Sequence, residues 1–247
     1  MKKLILISGL LLTCHAVAEE APQKDFTMDG ELGLIFTTGN TETTSVKGRI
    51  SANQELEMWS NDYLLEALYQ QDEVGSDESG AATTETTAQK WFASAQGNYK
   101  LTNPKNRLFA FASYEDDRFS NFDYQATLAG GWNSQWWKTD RSRLNYSIGP
   151  GYAFAKEQDG TDVSGIILRA AVDYQWKVSP TSTFKQIIST EVGADNTKSK
   201  SETSITAKIN GSLSMKASLL LNHNSDVSDD TENLDTETAV TLVYTFF

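Results

Sequence analysis

Three groups of residues in this chain have the types and spacing to do chemistry. The first is His223, the single histidine beyond residue 18, flanked by Asn222 and Asn224. A Ser-His-Asn hydrolase would use such a histidine as general base toward a serine, with a third group orienting the ring. Successive residues of a strand face opposite sides, so neither asparagine can serve His223 from its own strand. An interfacial histidine is the better reading, and no catalytic residue is assigned. The second group is Asp226, Asp229, Asp230, Glu232 and Asp235. Carboxylates suit calcium, but this spacing completes no calcium loop and lacks the central glycine of an EF-hand. A solvated acidic loop is expected, with no metal and no cofactor. The third group is a set of charges of both signs at alternate positions: Lys47, Arg49, Glu66, Lys90, Asp123, Arg143, Arg169, Asp173, Lys185, Glu191 and Lys208, together with Glu31, Glu55 and Glu57. On one enclosed face, such charges can pair and fill an interior, or line a narrow aqueous path.

The elements that position the third group are β-strands. From Asn121 to Lys177 the even-numbered residues are mostly apolar and the odd-numbered ones small or polar. One strand presents Phe122, Tyr124, Leu128, Trp132 and Trp136, and another Ile166, Leu168, Val172, Tyr174 and Trp176. Side chains on a strand alternate between faces, so this is a sheet with one apolar and one wet face. Alternation and turn residues predict twelve strands, at 26–37, 43–57, 62–72, 86–101, 106–116, 121–137, 141–155, 163–178, 182–195, 201–213, 216–225 and 234–247. In the fifth, Phe109 and Phe111 oppose Leu108, Ala110 and Ala112, and the pattern leaves its face open. Pro150, between Gly149 and Gly151, cannot donate to a ladder and predicts a bulge or bend.

The connections after even-numbered strands are tight: Ser60-Asn61, Asn103-Pro104-Lys105, Lys138-Thr139-Asp140, Ser179-Pro180-Thr181 and Ser214-Met215. The others include longer acidic stretches, Asp72 to Thr84, Glu157 to Asp162 and Asp226 to Asp235. Short turns at one end and longer loops at the other match a bacterial outer-membrane barrel, and an even strand count puts both termini on the short-turn, periplasmic side. Trp59, Trp136, Trp137 and Trp176 fall near the tight turns, where an aromatic belt would sit at a membrane interface. The last strand ends in Phe246 and Phe247, an aromatic terminus of the kind that closes outer-membrane barrels.

Composition agrees. Lys2 and Lys3, the apolar run Leu4 to Thr13 and Ala16-Val17-Ala18 form a secretory signal, expected to be removed after residue 18, with 19–25 as a short periplasmic leader and 26–247 as the barrel. Lipoprotein processing at Cys14 is the alternative, disfavoured by Thr13 before it. Cleavage removes Cys14, the chain's only cysteine, so no disulfide is expected. Without Lys2 and Lys3 the chain carries 19 basic against 33 acidic residues, a net −14. That excludes the basic footprint of a nucleic-acid binder. No later apolar run approaches the 18 residues of a membrane helix, and a barrel needs none, because only alternate residues meet lipid.

The segment Thr38-Gly39-Asn40-Thr41-Glu42-Thr43-Thr44, the signal, the twelve-strand meander and the aromatic terminus together resemble the YdiY-like salt-induced outer-membrane protein family, which is defined by a domain of unknown function. The resemblance covers about 26–247. It implies an outer-membrane barrel with no established activity, a link to salt or acid stress, and no catalytic residues to carry over. The expectation is thus an all-β protein: a single antiparallel transmembrane barrel of about twelve strands, not an enzyme, channel-like or structural. Its expected partners are outer-membrane lipid, lipopolysaccharide and, through the last strand, the barrel-assembly machinery. The other readings are a barrel-embedded enzyme acting on lipids and a soluble periplasmic β-protein.

Overall fold

A computed structural model describes residues 25–37, 43–76, 82–194, 196–226 and 233–246. The expected signal with Cys14, most of the leader, the core of the Thr-Gly-Asn-Thr segment, Asp229, Asp230, Glu232 and Phe247 lie outside the described residues.

Period-two alternation builds twelve strands: β1 (Phe26–Thr37), β2 (Thr43–Glu55), β3 (Trp59–Ser76), β4 (Ala82–Lys100), β5 (Asn106–Asp117), β6 (Phe122–Lys138), β7 (Ser142–Glu157), β8 (Gly165–Lys177), β9 (Ser182–Val192), β10 (Thr197–Lys208), β11 (Leu213–Asn224) and β12 (Leu234–Thr245). Each pairs antiparallel with its sequence neighbours, and β1 meets β12 to close the barrel. Closure leaves no full-length free edge, and it forces alternate side chains inward and outward all the way round. The outward set is apolar, including Leu32, Leu65, Leu108, Leu128, Ile148, Leu168, Ile188 and Leu242. Beneath it, Phe109, Phe122, Ile167 and Val243 are buried inside.

The strand count matches the sequence expectation; several details differ. β3 and β4 run further than expected, so much of the stretch Asp72 to Thr84 is strand, with irregularities at Gln70/Gln71 and Glu73/Gly75. The tight turns expected at Ser60-Asn61 and Ser214-Met215 instead occupy 56–58 and 209–212. β5 turns Leu108 and Tyr114 outward, and Phe109 and Glu115 inward.

Pro150 is not a bulge. Ala129 pairs with Gly151 and Trp132 with Ile148 in unbroken register, and Pro150 itself pairs with Leu168 of β8. The two strands approach closely at Gly131 and Gly149: a Cβ on Gly131 would lie 2.6 Å from the Gly149 Cα, and one on Gly149 2.7 Å from the Gly131 Cα. The bulges of β6 lie elsewhere, between Phe122 and Tyr124 and between Gln135 and Trp137. Each inserts a residue and flips the parity beyond it. At the first, Phe122 turns inward and is 2% exposed, against the outward place that simple alternation gave it. At the second, the neighbouring Trp136 and Trp137 both reach the outer surface.

The closing seam is short. β1 pairs with β2 over its whole length but with β12 only from Asp29 to Leu32, opposite Leu242–Thr245. Beyond it Gly33 still packs on Thr241, and the Lys47–Glu237 ion pair bridges β2 to β12 from inside.

Candidate functional site

The inward faces of β1 to β5 and β8 to β12 carry ionisable residues that meet across the barrel. Arg49 on β2 reaches Glu66 on the neighbouring strand at 3.1 Å, and its Nη1 donates to both oxygens of Glu202 on β10, at 3.0 and 2.9 Å. Lys216 on β11 bridges Glu31 at 3.1 Å and Glu202 at 2.8 Å. Glu115 on β5 accepts from Lys90 at 2.9 Å and from Lys198 at 3.0 Å, and also pairs with Lys200. Lys90 holds Asp117 at 3.2 Å as well, and the Lys200 ammonium sits 4.1 Å from the centre of the Phe92 ring. On β8, Arg169 stacks over Phe111 of β5 at 3.8 Å, beside Glu191, whose other oxygen accepts the Thr127 hydroxyl at 2.8 Å.

These contacts join strands far apart round the wall: β2 to β10, β5 to β10, β5 to β8 and β6 to β9. Side chains can touch across a barrel only where they fill it. The interior therefore holds a partition of ion pairs braced by Phe92, Phe109 and Phe111. The pairs are half-buried to buried, so their mutual attraction is stronger than it would be at a water-exposed surface.

A second polar layer lies toward the tight turns. Asn98, 2% exposed, donates to the Ser60 carbonyl at 3.2 Å and to Asp62 at 3.3 Å, and accepts from Gln96 and Asn133. Arg107 donates to the Ser60 hydroxyl at 2.7 Å. Lys185 pairs with Asp173 at 3.4 Å, and both act electrostatically on Asp62, as do Arg143 and Arg107.

Of the charges singled out in the sequence, Lys47, Arg49, Glu66, Lys90, Arg169, Asp173, Lys185 and Glu191 stand among these inward contacts. Arg143 faces Asp62 from an exposed position near the tight turns, and Lys208 is exposed at the last residue of β10. Asp123 departs from the expected lumen position. The bulge after Phe122 leaves it exposed outside the alternation, and Phe122 takes the inward place. Several participants were not foreseen. Glu115 sits on the strand whose face the pattern left open. Lys198 and Lys200 precede the expected start of the tenth strand, whereas β10 begins at Thr197. Glu202 shares parity with Lys208 and was legible from that alone.

The catalytic candidate does not assemble among the described residues, and the acidic-loop candidate lies mostly outside them. His223 lies on β11 opposite Ser199 and Leu234, and the Ser199 hydroxyl is engaged with Thr190 at 2.9 Å. Among the described residues no group of carboxylates or histidines forms a metal cage. In the loop after β7, Asp159 and Asp162 accept from Thr161 and Ser164, which holds both below the ordinary aspartate range.

Outside the barrel, aromatic residues form two girdles. Near the tight turns, Trp136 packs edge-on against Trp137 and Tyr146, Trp137 against Tyr174, and Trp59 against Tyr99, with Trp176 and Phe246 exposed at the same end. Near the long loops, Tyr114 stacks on Tyr124 and Tyr152 packs on Phe154.

Among known proteins, the chain is 22% identical over 251 residues to the uncharacterized protein YdiY of Escherichia coli (strain K12), spanning 97% of this chain and 95% of that one. In fold it is similar to the COG4313 outer membrane channel from Pseudomonas putida F1, with a TM-score of 0.50, 9% identity, and 90% and 94% of the two chains covered. It is likewise similar to the NanC porin, with a TM-score of 0.50, 8% identity and 89% and 98% covered. Both likenesses agree with the closed antiparallel wall. Residues 30–246 match the family described as "Protein of unknown function, DUF481", and the chain belongs to that family.

Proposed function

We propose that this protein is a passive outer-membrane barrel whose aqueous passage is held nearly shut by the internal partition of ion pairs. The observation that carries the reading is the bridging of β5 to β10 and β2 to β10 through Glu115, Lys198, Lys200, Arg49 and Glu202. An interior meant only as filler is more stable when apolar, because burying charges costs desolvation energy. Paired charges keep a path wettable. Small ions and water are the solutes such a path admits.

The girdles support the membrane setting. Trp59 and Tyr69 face outward on β3, ten residues apart. At about 3.3 Å per residue and a tilt near 40°, that is about 25 Å, the height of an outer-membrane apolar band. The outer wall then meets outer-membrane lipid and, at the long-loop end, lipopolysaccharide, and β12 is the strand offered to the assembly machinery. A partition of ion pairs responds to its medium. Salt screens it, and acid protonates its carboxylates, which is the physical link we propose to salt or acid stress.

Single-channel recording in planar bilayers tests this. The wild type should give small conductance steps. The charge-neutral double variant Glu115→Gln, Lys200→Gln should give larger ones. Barrels that insert, migrate as folded and never conduct in either form would defeat the channel reading and leave a structural one.

A further inference from the structure

The seam that closes the barrel is complete at one end only. Phe246 donates its amide to the Met28 carbonyl, whereas Thr245 donates to Ser212 on the β11 side. Even-numbered residues of β12 therefore aim their amides and carbonyls at β1, and odd-numbered ones aim theirs at β11. β11 pairs with β12 from Tyr244 to Leu234, but β1 pairs with it only as far as Leu32 opposite Leu242. Beyond that rung β1 pairs with β2 alone. Val240, Thr238 and Thr236 thus point backbone groups at β1 and, among the described residues, form no ladder with it. At about 3.3 Å per residue and a tilt near 40°, these three lie about 15–25 Å above Phe246, in the upper half of the apolar band. Hydrocarbon cannot satisfy such groups, so they persist there only where water from the lumen reaches them.

The parted seam is marked on both faces. On the lumen side the Lys47–Glu237 ion pair crosses its mouth beside Gly33, where a Cβ would lie 3.0 Å from Thr241 Cγ2. Thr241 is 3% exposed, and its hydroxyl has no hydrogen-bond partner among the described residues. Further up, Asn222 Oδ1 is buried and unpartnered too, opposite Asp235. Opening the seam would give both atoms water. On the lipid side, an apolar groove of about 470 Å³ runs across the last rung, lined by Leu32, Leu242, Ile50, Leu65 and Trp91. Glu31, Arg49 and Glu66 also border it, but their side chains turn inward to the ion pairs. The floor is open at Gly48, where a Cβ would meet nothing within 4 Å. A hollow of this volume is of the size that holds small molecules.

We propose that the β1–β12 seam is a lateral gate between the lumen and the outer leaflet, latched by Lys47 and Glu237. Its passenger is a single-chain amphiphile with a hydroxyl-bearing polar end. The hydrocarbon chain lies in the groove, which is apolar and faces lipid. The polar end enters the parted seam, where the backbone groups of β12 and the Thr241 hydroxyl offer neutral hydrogen-bond partners. Lys47 and Glu237 cancel at the mouth, so nothing there selects a charged head. The gate rests on the membrane setting proposed above and not on ion conduction.

Amide exchange in lipid nanodiscs tests the gate. The amides of Thr236, Thr238 and Val240 should exchange at least about tenfold faster than those of Glu237 and Ala239, which aim at β11, tenfold being the worth of one hydrogen bond. Equal protection would mean a full ladder at the seam and overturns the gate. A monoacylglycerol carrying a diazirine midway along its chain tests the passenger. Light should attach it to Leu32, Leu65 and Trp91 in the groove and to Ser45 and Asn222 on the lumen side. Gly48→Phe, checked for folded migration, fills the open floor and should lose the groove labels. In a Cys14→Ser background, Lys47→Cys and Glu237→Cys joined by a short bismaleimide should lose the lumen labels and keep the groove ones. Either single cysteine capped with a monomaleimide should keep both. Label spread evenly round the outer wall, or groove labels that survive Gly48→Phe, overturn the groove as the seat of the chain. Lumen labels absent from the wild type, or unchanged by the clamp, overturn the gate. Label that enters the lumen of a barrel that never conducts ions refutes the channel reading and leaves the gate standing.

Discussion

Removing the charge of Glu115 tests whether the internal partition is held by ion pairs. Its carboxylate is 9% exposed and serves three ammonium groups, on Lys90, Lys198 and Lys200. In Glu115→Gln, Lys90 keeps Asp117 at 3.2 Å and Lys200 keeps the Phe92 ring, whereas Lys198 loses its carboxylate. Breaking a fully buried pair costs about 3–5 kcal/mol. The lysines are about a fifth exposed, at 21, 17 and 23%, and two of them retain a second interaction, so the lower part of that range applies. We expect about 2–3 kcal/mol, with a cation–π contribution of about 1 kcal/mol already credited to Lys200. The assay is equilibrium unfolding in urea from lipid vesicles, followed by tryptophan fluorescence and by the shift in gel migration on heating. The triple variant Glu115→Gln, Lys198→Met, Lys200→Met separates a missing partner from a general loss of packing. It removes the stranded charges and should return to within about 1 kcal/mol of the wild type. A single variant as stable as the wild type, or a triple variant less stable than the single one, would refute the ion-pair account.

Other consequences are open to measurement. Leu168→Arg places a charge on the outward face, where Leu168 is half exposed, and should cost about 2–4 kcal/mol near the membrane midplane and lower assembly yield; normal yield would remove Leu168 from the lipid. Gly131→Ala forces β6 and β7 apart where the backbones nearly touch and should cost about 1–3 kcal/mol in the same unfolding assay, whereas Gly48→Ala, whose Cβ would meet nothing within 4 Å, should cost under about 1 kcal/mol. Asp162 has its pKa lowered by the Ser164 hydroxyl and then by the Ser164 amide. A depressed carboxylate contributes above its unfolded value and is lost as pH falls through the folded one. The Ser164 amide resonance should therefore stay flat on acidification past about pH 3.9, the ordinary aspartate value, and move only below it. Glu237→Gln removes the ion pair that spans the short seam, so amide exchange at Gly33 should speed up while that at Gly48 stays unchanged.

The wall of the barrel was legible in the chain. Period-two alternation fixes which side chains share a face, and tight connections after the even strands fix an antiparallel meander. Twelve strands, the outward placing of Leu128, Ile148, Leu168 and Leu242 and the tryptophans near the tight turns followed from local pattern. The pattern failed where one residue is inserted. The bulges at Asp123 and Trp136 are invisible to a parity count, and one of them moves Phe122 inward and Asp123 out of the lumen. It also left β5 unassigned, because phenylalanines stand opposite alanines there and both faces look apolar.

What the inward charges do emerges only on closure. Glu115 and Lys198 are far apart in sequence and lie on strands that are not neighbours in the wall. Nothing local couples them; their meeting depends on barrel radius, tilt and register, which exist only once the sheet has closed. The same closure brings Phe111 under Arg169 and leaves that guanidinium short of partners. Alternation encodes the faces because it is a property of one strand, and the cross-barrel ion pairs could not be read from the chain because they are a property of all twelve.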